Sequence, residues 1–206
     1  MKLVDYTLKD FANALAAKES VPGGGSASAY IGSIAVSLLL MVARYNENVE
    51  MNKSIIEALE DEKNNLLALV DKDALSFDEV MKAYRLPKIS DDEKKIREEQ
   101  IQTSLREAAN IPYDTLRTSG SAIKYMELLE PDCKKNMISD LACSALFLKS
   151  AIEGSYLNIL INLKSIRDKE FSDSLYKDAT NIKKGAFKIL DKIFFRIEQQ
   201  LEINPS

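Results

Sequence analysis

The chain has 206 residues, 46% of them hydrophobic and 29% charged, with a net charge of −4, which fits a single domain over residues 1–206 that buries its own core. Histidine is absent and the only cysteines are Cys133 and Cys143, so Ser-His-Asp triads, imidazole acid-base chemistry and Cys/His zinc sites are excluded. The acidic balance, with lysines interleaved among acids, argues against a nucleic-acid partner, and seven glycines with five prolines are too few turn formers for a sandwich, a barrel or a βαβ array.

The N-terminal MKLVDYTLKDF lacks the apolar core of a signal peptide, and two thiols ten residues apart build no disulfide framework, so a cytoplasmic protein is expected. Thr7 with Asp10 resembles a capping box, and Leu8, Phe11, Ala12 and Leu15 share a face, which predicts a helix over about 8–18. Residues 19–24 break the chain. From Ser20 to Ala43 there is no charge, yet the strongly apolar part, Ile34 to Val42, is too short to cross a bilayer. A helix over about 25–45, buried on all sides and ended by Asn46-Glu47-Asn48, is the better reading, and no membrane partner is expected. Its small residues Gly25, Ala29, Ser33 and Ser37 recur every four positions and permit close approach of another helix.

Apolar residues from Ile55 to Met81 recur near every 3.6 positions, which predicts one long or twice-bent helix over about 52–84, closed by Pro87. Ser90 with Glu93 is a second capping box, and Asp91, Asp92 and Glu93 suit the first turn. That helix is expected to stop before Ile111, because Pro112 disfavours helical backbone ahead of it. Pro112 and Pro131 each fit the first turn of a new helix. Asp140 to Leu163 carries only Lys149 and Glu153 after Asp140, so it reads as a second helix buried on most sides. A last amphipathic helix covers about 170–202. The result is an all-α chain of six to eight helices with the two most apolar at its centre. Those two leave more buried face than a small monomer covers, which predicts a dimer.

Three groups of residues suit chemistry. Gly23, Gly24, Gly25 and Ser26 enter a helix N-terminus, where free N–H groups and the dipole favour an anion; a tight turn with close packing explains them equally well. On the second apolar helix one face carries Asp140, Ser144, Phe147, Ala151, Gly154, Asn158 and Asn162, polar groups that need either structural partners or a ligand. Asp73 is a third candidate, set against a solvated helix acid. The segment Ser90 to Arg106 reads as a solvated face, Cys143 as a small core residue, and Cys133 remains open.

In order along the chain, Pro22-Gly23-Gly24-Gly25-Ser26 before an Ala/Ser-rich helix, DALSFDEVMKAYRLPK from Asp73 to Lys88, Ala109 to Pro112, Ser139-Asp140, and GSYLNILINL from Gly154 to Leu163 resemble the cyclodeaminase domain of formiminotransferase-cyclodeaminases and their stand-alone cyclohydrolase relatives. The resemblance covers nearly the whole chain. It departs at Cys133-Lys134, where relatives carry Gly-Asn, and over Tyr45 to Glu50, where they carry a Gly- and Lys-containing segment. What it implies is an α-helical homodimer acting on the one-carbon bridge between N5 and N10 of tetrahydrofolate, with no cofactor beyond that folate and no metal. It implies Asp140 as the acid-base group and Asp73 as a second acid or pterin-orienting group. Gly23, Gly24, Gly25, Ser26, Ser139, Asn158 and Asn162 become ligand-holding residues. Formiminotetrahydrofolate cyclodeaminase is the leading expectation, with Arg85-Leu86-Pro87-Lys88 leaning toward it. Methenyltetrahydrofolate cyclohydrolase is the alternative, and a non-catalytic helical scaffold the further one.

Overall fold

A computed structural model describes residues 2–45 and 49–201, with only the backbone of 49–51 and 201. Six α-helices follow one another: α1 (Leu8–Ala16), α2 (Gly24–Tyr45), α3 (Val49–Arg85), α4 (Asp91–Leu129), α5 (Ile138–Leu163) and α6 (Lys169–Leu201), with 3₁₀ turns at Leu3–Asp5 and Lys135–Met137. No strand occurs among the described residues. The expected end of α2 at 46–48 lies outside them. Both foreseen N-caps form: the Thr7 hydroxyl accepts from the Asp10 N–H, and Ser90 with Glu93 makes a full capping box.

The two apolar helices α2 and α5 pack antiparallel at the centre. Asn158 lies against Gly24 and Ser28 against Gly154, while the Ser144 hydroxyl donates to the Ala35 carbonyl at 2.8 Å. A Cβ on Gly154 would overlap the Ser28 hydroxyl, so glycine there sets how closely the pair approaches. Helices α3 and α4 pack on this pair, and α6 lies against α4 and α5. Leu39, Leu59, Leu116, Leu148 and Leu190 are fully buried in the shared core, each contributing roughly 1.5–3 kcal/mol. Although α2 is long and apolar enough to span a membrane, most of its residues from Gly25 to Ala43 are buried within the bundle. At the far end of α4, Glu130 is buried and accepts from Arg196 of α6 at 2.8 and 3.0 Å.

Three expectations are corrected. Helix α4 does not stop at Ile111; it runs through Pro112. A proline inside a helix lacks the N–H that would bond the carbonyl four residues back, here that of Ala108. The Asn162 side chain of α5 donates to that carbonyl at 3.1 Å, so the freed acceptor is satisfied from another helix. Pro131 opens a turn after α4 rather than a helix, and α5 begins only after Lys135–Met137. Cys143 is exposed because among the described residues nothing packs over that face of α5.

Candidate functional site

A cleft of about 440 Å³ opens between the loop before α2, α3, α4 and the C-terminal half of α5. Its floor is built from non-local contacts. The Asp73 side chain of α3 reaches the first turn of α2, where its Oδ2 accepts from the Ser26 N–H at 2.7 Å and from the Ser26 hydroxyl at 2.9 Å. A Cβ on Gly25 would collide with the Asp73 carboxylate, so only glycine lets the carboxylate lie on the backbone there. The chain's own anion thus occupies the helix N-terminus expected to take an anion from the ligand. Among the described residues nothing hydrogen-bonds the N–H groups of Gly24 and Gly25, and both glycines line the cleft.

Burial raises the Asp73 pKa above the ordinary carboxylate value, against the smaller opposing effect of the two Ser26 hydrogen bonds. Asp73 Oδ1 has no hydrogen-bond partner among the described residues. The group is therefore a partly buried carboxyl with one anchored oxygen, one open oxygen and a raised affinity for a proton. That combination suits proton transfer.

Along α3 from Asp73 the same face presents Ser76, Phe77, Val80, Met81 and Tyr84 to the cleft. This wall is the part the sequence reading missed; the signal was present as residues three, four, seven, eight and eleven positions beyond Asp73. Phe77 and Tyr84 remain partly exposed and can cover a planar ring. Arg97 of α4 fixes the end of α3 by donating to the Tyr84 carbonyl at 3.0 and 3.3 Å and lying over the Tyr84 ring.

The predicted site residues divide into two groups. Gly23, Gly24, Gly25, Asp73, Asn158 and Asn162 line the cleft together, with Ser26 fully buried beneath it and bonded to Asp73. Asn158 donates to the Gly154 carbonyl at 2.8 Å, and Asn162 to Ala108. Asp140 and Ser139 lie in the first turn of α5, eighteen and nineteen residues from Asn158, so roughly 27 Å along the helix axis at ~1.5 Å per residue. Asp140 makes no hydrogen bond or ion pair among the described residues. The Cys133 thiol is pushed up to about 11 by burial and then by the charges of Glu130 and Asp140, which leaves it protonated and unreactive at neutral pH. No group of three or more Cys, Asp or Glu among the described residues is arranged to hold a metal.

The fold has known counterparts. Over 97% of this chain and 98% of the other, the structure superposes on formiminotetrahydrofolate cyclodeaminase from Thermotoga maritima with a TM-score of 0.77 and 27% sequence identity. A methenyltetrahydrofolate cyclohydrolase from Methylorubrum extorquens is 28% identical over 202 residues, covering 95% of this chain and 97% of that protein. The formimidoyltransferase-cyclodeaminase of Gallus gallus is 28% identical over 187 residues, and the match spans only 35% of its length. The family model described as formiminotransferase-cyclodeaminase matches residues 7–181, the stretch that carries the glycine loop, Asp73 and both asparagines: the chain belongs to the formiminotransferase-cyclodeaminase family.

Proposed function

We propose that the protein is a folate one-carbon enzyme whose cleft closes the bridge between N5 and N10 of formiminotetrahydrofolate, releasing ammonia and leaving 5,10-methenyltetrahydrofolate. The observation that carries this reading is the Asp73 carboxyl, anchored through one oxygen, open at the other, and raised in pKa by burial. Starting from the protonated formimino group (N5–CH=NH2+), ring closure moves a single proton between nitrogens: N10 loses one as it attacks the formimino carbon, the departing amino group gains one and leaves as ammonia, and the positive charge stays on the methenyl bridge. A carboxyl whose hold on a proton is strengthened by burial can take it from N10 and return it to the leaving nitrogen. The wall of Phe77, Val80, Met81 and Tyr84 supplies apolar cover for the flat ring systems, and the N–H groups of Gly24 and Gly25 with Asn158 offer polar contacts at the ring edge. The full-length match to a stand-alone cyclohydrolase supports a second reaction in the same cleft, addition of water to the methenyl bridge to give 10-formyltetrahydrofolate.

Supplying purified protein with each folate and following the methenyl chromophore tests both readings. Its appearance from formiminotetrahydrofolate supports cyclodeaminase, its loss in water supports cyclohydrolase, and silence with both, without folate binding, removes the enzyme reading.

A further inference from the structure

We propose that the ligand site extends past the cleft into a second hollow beside it, where the Arg85 guanidinium takes the glutamate carboxylates of the folate tail. This rests on the folate reading given above and adds to it a residue that sets affinity.

The two hollows meet. The second, of about 380 Å³, lies between the segment joining α1 to α2 and the flank of α3, and it shares Ser20, Val21, Phe77 and Met81 with the cleft. Phe77 and Met81 belong to the apolar wall offered to the ring systems. An extended ligand lying on that wall therefore has one end at Asp73 and the other at the second hollow. The character of α3 changes on the way: beyond Ser76 the cleft-facing positions are apolar, whereas the second hollow brings in Asp78, Lys82 and Arg85, with Glu19 across from them.

Only one of its two cations is uncommitted. Lys82 holds Glu79 at 2.6 Å. Every other arginine of the chain donates to a carboxylate or a main-chain carbonyl, while Arg85 makes no hydrogen bond, ion pair or ring contact among the described residues. A basic residue in the last turn of α3 suits the helix dipole, which explains its charge but not its place in a hollow joined to the cleft. Glu19 and Asp78 balance Lys82 and Arg85, so the hollow exerts little long-range pull on anions. Recognition falls instead to the planar fork of the guanidinium, which grips a carboxylate through two parallel hydrogen bonds.

The spacing fits the ligand. Arg85 is twelve residues beyond Asp73, roughly 18 Å along α3 and about a third of a turn round it, on the side of Asp78 and Lys82. An arginine side chain can lean back ~5 Å toward the N-terminus of its helix, which leaves roughly 13 Å between the two groups. From N10 across the aminobenzoyl ring to the glutamate carboxylates is roughly 10 Å at ordinary bond lengths, and one hydrogen bond adds about 3 Å. A proton-transfer group at Asp73 and a carboxylate clamp at Arg85 are thus one folate apart.

The test compares tetrahydrofolate with tetrahydropteroate, the same ring system without the glutamate, for binding by calorimetry, and measures KM and kcat for whichever one-carbon derivative the protein turns over. Wild type should bind tetrahydrofolate about ten- to a hundredfold more tightly than tetrahydropteroate, the usual worth of a charged hydrogen-bonded contact. Arg85→Ala should bind the two alike, and Arg85→Lys should regain part of the preference, since an ammonium keeps the charge and lacks the fork. Arg85 is exposed, so both variants should keep wild-type helical content, and the loss should appear in KM rather than kcat, because the tail is held equally before and during reaction. A wild type that binds both compounds equally, or an Arg85→Ala protein that keeps the wild-type preference, overturns the tail site and leaves the function reading standing. A wild type that binds neither removes the function reading, and the tail site with it.

Discussion

Asp73 Oδ2 accepts two hydrogen bonds from Ser26, one from its backbone N–H and one from its hydroxyl, and this contact joins residues 47 positions apart. It ends α2 as an N-cap would, but with a carboxylate borrowed from α3. Because that carboxylate also lines the cleft, the group that completes the helix is the group offered for proton transfer.

Gly25→Ala should displace the carboxylate, since a Cβ at that position collides with it. The expected cost is roughly 1–3 kcal/mol of stability, with turnover falling in parallel, measured by denaturant unfolding and by the folate assay. Ala at Gly185, which has open space around it, is the control and should be neutral or slightly stabilising.

The pH dependence of stability should carry the mark of Asp73. Its folded pKa is raised by burial, so the native state holds the proton more tightly than the unfolded chain, and stability falls as pH rises from the ordinary carboxylate value through the raised one. Urea midpoints of wild type relative to Asp73→Asn should therefore increase as the pH is lowered from 7 to 4. A difference independent of pH would assign Asp73 an ordinary carboxyl.

Asn162 and Pro112 should behave as a coupled pair. Removing the amide in Asn162→Ala leaves the buried Ala108 carbonyl without a partner, at a cost of about 1–3 kcal/mol. Pro112→Ala restores a backbone N–H to bond the same carbonyl, so the double variant should be less destabilised than the sum of the single ones. A thermal or denaturant double-mutant cycle reads this coupling.

The same pair shows where the sequence was legible and where it was not. Local signals held: the caps at Thr7 and Ser90 and the period-3.6 stripe of α3 depend on residues a few positions apart. Pro112 was misread because its compensation comes from Asn162, fifty residues further along the chain. Asp73 alone reads as a solvated acid; its burial follows from Gly25 and Ser26, which the glycine loop hinted at and only the fold connects. Cys143 was assigned to the core because α5 is apolar all round, and apolarity does not reveal whether a face is covered by the chain itself or left open.

The most direct measurement is turnover by Asp73→Asn, with its helical content and its folate affinity determined on the same sample. A folded variant that binds folate within a few-fold of wild type and closes the methenyl bridge at least ~100-fold more slowly is the expected result, in line with the usual contribution of a positioned acid-base group. A folded variant with full turnover would contradict the assignment of proton transfer to Asp73.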